Sequence, residues 1–136
     1  MFKLHLEREI ACSHRLVHHN GKCNNLHGHN YFVEVDITTK TLINGGSSDG
    51  MVVDFGDVKR IIDHFDHKHL NDVTNMEQPT AERLAELMCI AIVETCREGA
   101  TTPYGINNPL KVRVRVHETR GQYVEFTDGI EENEIW

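Results

Sequence analysis

Positive charge is what this sequence is short of. Fourteen lysines and arginines stand against 21 aspartates and glutamates, a net −7, and that balance argues against a nucleic-acid-binding surface. No apolar run approaches the length of a membrane span, so no membrane partner is expected. Met1-Phe2-Lys3-Leu4-His5 leads straight into a strand pattern rather than into a signal peptide. The four cysteines (Cys12, Cys23, Cys89 and Cys96) include no C-x-x-C pair. Reduced thiols in a cytoplasmic protein are therefore the expectation, not a disulfide framework. There is no internal repeat at short period and no low-complexity segment, and residues 1–136 are read as one domain with a real core.

What the sequence has in quantity is histidine: ten residues, most of them crowded into positions 5–29 and 64–69. The density is greatest around Cys23-Asn24-Asn25-Leu26-His27-Gly28-His29-Asn30-Tyr31. There a thiol stands four residues before a His-x-His pair that runs into Val33-Glu34-Val35-Asp36-Ile37. This tail alternates, as a half-buried strand does, and side chains two apart on a strand share a face. His27 and His29 therefore project together onto the face continued by Val33, Val35 and Ile37.

Taken in order, residues 2–14 alternate as a first strand, with His14 on the parity of Leu4, Leu6, Ile10 and Cys12. Arg8 breaks that pattern, which suggests a bulge or strand end. A polar loop over 15–26 precedes the second strand, about 27–40, and the stretch Asn44 to Gly50 reads as a turn joining strand to strand. Asp54 is an N-cap candidate, with Val58, Ile61, Ile62 and Phe65 at helical spacing behind it and an end near Asp66-His67. A loop over 68–79 leads to Thr80, the candidate cap of a longer helix stopped by Gly99. The buried stripe predicted for this helix is Ala81, Leu84, Leu87, Met88, Ala91, Ile92 and Thr95. After a connection at 101–109, residues 110–118 form the cleanest strand, its inner face carrying Leu110, Val112, Val114, Val116 and then Glu118. A last strand covers about 122–127, and the tail 128–136 is acidic. The order β-β-α-α-β-β predicts an α+β fold, an antiparallel four-stranded sheet with both helices on one face.

Three imidazoles meet in such a sheet. In an antiparallel hairpin the end of the first strand lies beside the start of the second, bringing His14 to His27 and His29. Hydrogen-bonded core histidines would account for any one of them, but the set points to a metal held by three neutral nitrogens with a fourth position open, zinc ahead of copper or iron. Cys23 has two readings that spacing does not separate. A cation beside a thiol favours the thiolate, which suits a base or nucleophile, and the same thiol could close the site as a fourth ligand. Asp66-His67 could work as an acid/base pair only where the helix unwinds; the other reading is a helix end with a histidine placed toward the dipole. Glu118, on an inner face, needs a partner. A planar N–H pair on a ligand would serve, as would an internal arginine, or the strand could end early and release it to water.

Together these motifs resemble the 6-pyruvoyl-tetrahydropterin synthase/6-carboxytetrahydropterin synthase family. The residues that carry the likeness are Ala11-Cys12-Ser13-His14-Arg15-Leu16, Cys23 with His27-Gly28-His29, Gly50-Met51-Val52-Val53-Asp54-Phe55, Asp66-His67 with Leu70-Asn71, Pro79-Thr80 with Glu82, and Glu118-Thr119. The resemblance implies a tunnelling fold, in which subunits join their sheets into one barrel with active sites at subunit interfaces. It implies zinc on His14, His27 and His29, Cys23 as the base, Asp66-His67 as the partnered acid/base, Glu118 as the anchor of a pterin ring, and Thr80, Glu82 and Thr119 at the pocket. It further implies a homo-oligomer, a hexamer of two trimeric rings. The three residues between Cys23 and His27 look like the 6-carboxytetrahydropterin synthases of the 7-deazaguanine (queuosine) route; the animal-type pyruvoyl enzymes have a longer gap. Cys12, the long connection at 99–109 and the acidic tail depart from the family pattern.

The implied substrate is 7,8-dihydroneopterin triphosphate, for which Arg15, Lys22 and Lys68 are the candidate cations. Two other readings stand beside this one: a synthase that stops at 6-pyruvoyl-tetrahydropterin, and a non-catalytic zinc-binding barrel protein whose Cys23 closes the site.

Overall fold

The computed structural model describes residues 1–98 and 111–129. Its elements in chain order are β1 (Phe2–His14), β2 (His27–Thr39), α1 (Phe55–Asp63), β3 (Lys68–His69), α2 (Leu70–Thr74), α3 (Ala81–Glu98), β4 (Lys111–Thr119) and β5 (Gln122–Gly129). The sheet order is β3-β1-β2-β4-β5. The four long strands are antiparallel throughout, and β3 adds a two-residue parallel pairing at Cys12 and Ser13. The expected four-stranded sheet is thus present, with a short edge strand and the one-and-a-half-turn α2 inside what reads in sequence as loop 68–79.

Alternation explains the layering. Leu4, Leu6, Ile10, Tyr31, Val33, Val35, Ile37, Val112, Val114 and Val116 are buried on one face of the sheet, and α1 and α3 cover them with Val58, Ile62, Leu84, Met88 and Ile92. Each such side chain removed from water contributes about 1.5–3 kcal/mol. Arg8 makes no bulge: the β1–β2 register runs unbroken from Phe2↔Thr39 to His14↔His27. It points inward with its neighbours and is satisfied there by Asp63 at the end of α1, Nε and Nη2 donating to the two carboxylate oxygens at 2.8 and 2.6 Å.

Asp54 caps α1 by accepting from Gly56 N at 2.8 Å, and Thr80 Oγ1 accepts from Arg83 N at 3.2 Å at the start of α3, both as read from sequence. The buried stripe of α3 is rotated from the predicted one. Ala85, Cys89, Val93 and Cys96 are inside, whereas Leu87, Ala91 and Thr95 are only half-buried. Cysteine behaves here as a small apolar residue, its thiol Cys89 Sγ reaching Val112 O at 3.6 Å. Residues 51–53 form no strand; Met51 O and Gly50 N instead close a turn on Ile43. The stop at Gly99, the connection at 101–109 and most of the acidic tail lie outside the described residues. No helix among the described residues is long and apolar enough to cross a membrane.

Candidate metal centre and adjoining cavities

The register that pairs His14 with His27 and Cys12 with His29 puts three imidazoles at one end of the sheet. Their ring centroids are 4.5, 4.8 and 5.1 Å apart, all edge-on, and they offer nitrogens that lie within 4.8 Å of one another. The outer nitrogens of two rings are already committed. His14 Nδ1 donates to Pro79 O at 2.8 Å and His27 Nδ1 to Asn25 O at 2.7 Å. A carbonyl can only accept, so each ring holds a proton on Nδ1, and Nε2 is the nitrogen left for a metal, as in metal-binding histidines.

Among the described residues, His14 Nε2 and His29 Nε2 are buried without a hydrogen-bond partner; Glu118 Oε1 stands 3.1 Å from the latter without hydrogen-bond geometry. Burial drives the His14 imidazole below its ordinary pKa against the Pro79 carbonyl, and His27 and His29 push in the same downward direction. Burial likewise lowers His29, against the pull of Glu118. Neutral rings with inward lone pairs are the protonation state that a metal needs. The donor set fits a divalent cation such as zinc, with three nitrogens and room for a fourth ligand.

Cys23 sits on a single turn of 3₁₀ helix, Lys22–Asn24, half-buried and not disulfide-bonded. The loop that carries it is closed by Leu16 N donating to Cys23 O at 2.9 Å. Its thiol is not among the donor atoms that cluster within 4.8 Å, which favours a role beside the imidazoles over one as a fourth ligand. Cys23 and Glu118 both line two adjoining cavities. One, of about 570 Å³, also carries His14, Thr80 and Glu82. The other, of about 490 Å³, carries His27, His29 and Thr119. Of the three readings open for Glu118, the structure shows a carboxylate that faces the cavities beside His29, with no arginine partner among the described residues.

Asp66 and His67 lie apart from both cavities. The helix has ended before them, and His67 adopts a left-handed backbone with φ 57°. That turn is what lets neighbours in sequence face each other: His67 Nδ1 is 2.9 Å from Asp66 Oδ1. The same Oδ1 accepts from Ala11 N at 2.9 Å, and His67 N donates to Ala11 O at 2.6 Å. The His67 side chain is 83% exposed, so the dyad is presented outward. His69 is half-buried, its Nδ1 3.0 Å from Ser13 Oγ.

Gln122, Tyr123 and His19 line the cavities too and were not singled out from sequence. The hairpin signal for Gln122 was there: Arg120-Gly121 is a two-residue turn with Gly121 at φ 81°, which pairs Gln122 with Thr119.

Comparison with known proteins agrees with this architecture. The family described as 6-pyruvoyl tetrahydropterin synthase matches residues 3–129. A Synechocystis protein named 6-carboxy-5,6,7,8-tetrahydropterin synthase is 34% identical over 118 residues, covering 74% of this chain and 92% of its own length. An Archaeoglobus fulgidus protein carrying the same name as a putative assignment is 35% identical over 125 residues, 89% of this chain and 91% of that one. In three dimensions, the 6-pyruvoyl tetrahydropterin synthase of Caenorhabditis elegans superposes with a TM-score of 0.60 at 24% identity, over 95% of this chain and 98% of that one. The Plasmodium vivax enzyme superposes at 0.65 with 19% identity over the same shares. These two likenesses establish the tunnelling fold. With the family match over nearly the whole chain, the protein belongs to the 6-pyruvoyl tetrahydropterin synthase family.

Proposed function

We propose that this chain is a zinc-dependent 6-carboxy-5,6,7,8-tetrahydropterin synthase. It would convert 7,8-dihydroneopterin triphosphate to 6-carboxytetrahydropterin, acetaldehyde and triphosphate on the 7-deazaguanine (queuosine) route, in the cytoplasm. The observation that carries the reading is the pair of Nδ1 protons spent on Pro79 and Asn25 carbonyls, which leaves bare nitrogens converging beside Cys23 and Glu118. The printed names of the relatives at 34% and 35% identity support the carboxy product.

The roles follow from placement. His14, His27 and His29 hold the metal, which when bound acts as a Lewis acid on the side-chain hydroxyls of the substrate. Cys23, on the wall shared by the two cavities, takes a carbon-bound proton as thiolate. Glu118 accepts the N–H pair of the pterin ring, a bidentate arrangement suited to a carboxylate. Thr80 fixes the start of α3 at the cavity, with Glu82 and Thr119 along its rim.

Asp66-His67 faces away from its own chain's cavities and serves as proton donor across a subunit boundary. The sheet favours such an assembly. Among the described residues the outer edge of β5 is unpaired, and β1 is covered by β3 only at Cys12 and Ser13. Exposed edges of this length are ordinarily covered, and closing them on further copies gives the barrel, as a hexamer of two trimeric rings.

The test is product identification from 7,8-dihydroneopterin triphosphate with zinc-loaded protein. The expected products are 6-carboxytetrahydropterin and acetaldehyde. A pyruvoyl product without acetaldehyde would move the chain to the other branch of the family. No turnover with zinc fully bound would favour a non-catalytic binding protein.

A further inference from the structure

A net −7 chain that takes a triphosphate must concentrate cations where the tail lies, and the two cavities differ in this respect. The 570 Å³ cavity carries two carboxylates, Glu82 and Glu118, along with His14 and His19. The 490 Å³ cavity carries Lys22, His27 and His29, with Glu118 at the shared wall. An N–H-rich ring belongs in the first and an anionic tail in the second. Cys23, common to both, then stands opposite the carbons that link ring to tail.

The three basic residues nearest in sequence separate on the same grounds. Arg15 donates from Nε to Asn24 O at 2.6 Å and to Asn24 Oδ1 at 2.8 Å. It braces the turn that carries Lys22 and lines neither cavity. Lys68 lies on β3, paired with Cys12 at the sheet edge, and lines neither. Lys22 lines the second cavity and has no carboxylate partner among the described residues. Gln122, which lines both cavities, is oriented by Thr119, whose Oγ1 donates to Gln122 Oε1 at 3.1 Å. The amide N–H groups of Gln122 have no partner among the described residues and are available as donors. A cation and an oriented amide lining one cavity make a phosphate-binding pair.

We propose that Lys22 and Gln122 form the subsite for the triphosphate tail, in the cavity that also carries His27 and His29. This rests on the pterin reading above. It adds the division of the site into a lobe with two carboxylates for the ring and a lobe with Lys22 for the phosphates.

The experiment uses zinc-loaded Cys23→Ala protein, in which slowed turnover should let substrate binding be measured. Calorimetry measures the affinities of 7,8-dihydroneopterin triphosphate and of 7,8-dihydroneopterin, which lacks the phosphates. The triphosphate is expected to bind more tightly. Adding Lys22→Ala should weaken it by about tenfold to a hundredfold, the range for one charge-assisted contact. The salt dependence of its binding should flatten, with dihydroneopterin affinity and zinc content unchanged. Lys22→Arg should restore most of the loss, and Gln122→Ala should reproduce a smaller part of it. Unchanged triphosphate affinity in Lys22→Ala, equal weakening of both ligands, or a larger effect from Lys68→Ala would each overturn the assignment. If neither ligand binds when Lys22 is intact, the pterin reading fails, and the subsite with it.

Discussion

Two histidine clusters in this sheet bring three potential ligand atoms within 4.8 Å: His14, His27 and His29 at one end, and His5, Glu7 and Glu34 on the face away from the helices. Proximity does not tell them apart; hydrogen-bond accounting does. On the polar face every group is committed. His5 Nδ1 meets Asp36 Oδ1 at 2.8 Å and its Nε2 meets Glu7 Oε1 at 3.0 Å. Glu34 Oε2 meets His117 Nε2 at 2.9 Å. Asp36 is bound by the Arg113 guanidinium at 2.7 and 3.2 Å. At the sheet end, two Nε2 atoms are buried with no hydrogen-bond partner among the described residues. A buried polar atom left unpaired costs about 1–3 kcal/mol, so such atoms persist where something else is to be bound. The polar-face cluster is a structural ion-pair network; the sheet-end cluster is the candidate site.

The distinction predicts that changes at the sheet end cost function with little stability, and changes on the polar face the reverse. The largest effect belongs to Cys23→Ala, which should lower turnover by about 10²–10⁴ as removal of a general base does. Zinc content and melting temperature should hold, and loss of zinc from that variant would make the thiol a ligand instead. Glu118→Gln keeps the shape but not the charge, so pterin affinity should fall by roughly 1.5–3 kcal/mol, read by calorimetry at constant zinc. Wild-type affinity would return Glu118 to a structural role. On the other face, Asp36→Asn should lower unfolding free energy by about 1–3 kcal/mol in urea, leaving pterin and zinc binding intact.

The smallest effect is one of pH. Hydrogen bonds that His5 donates to Glu7 and Asp36 raise its pKa above the ordinary 6.5. Its contribution to stability is therefore full below that value and lost as pH rises through the raised one. His5 is half exposed and screened, so His5→Gln should remove only a few tenths of a kcal/mol, and only below the raised pKa. In metal-free protein His14 and His29 have the opposite sign. Their lowered values mean that stability is lost as pH falls below about 6.5. Matching slopes for the two clusters would erase the contrast between them.

The sheet-end site was largely legible in the sequence because strand periodicity is strict. Parity alone put His14, His27 and His29 on one face, and antiparallel pairing put them at neighbouring ends. The same rule misled at Arg8, where a charge at an inward position signals a partner as readily as a bulge, and Asp63, 55 residues away, supplies that partner. Helix period is less forgiving than strand parity. Cysteine and β-branched valine compete with leucine for the inward face of α3, so its stripe was read one position out. Asp66-His67 needed a left-handed backbone at a non-glycine residue, which no periodicity announces; hydrogen bonds to Ala11 on β1 hold it there. Gln122 reaches the site through a hairpin whose turn was readable but whose consequence for the cavity was not.

The central claim is most directly tested by metal content in two double variants prepared alike. Zinc per chain should fall from near one to near zero in His27→Ala/His29→Ala and stay near one in His5→Ala/Glu34→Gln, each measured by elemental analysis after dialysis against metal-free buffer. Zinc retained in the first variant, or lost from the second, would place the metal on the wrong cluster and contradict the account.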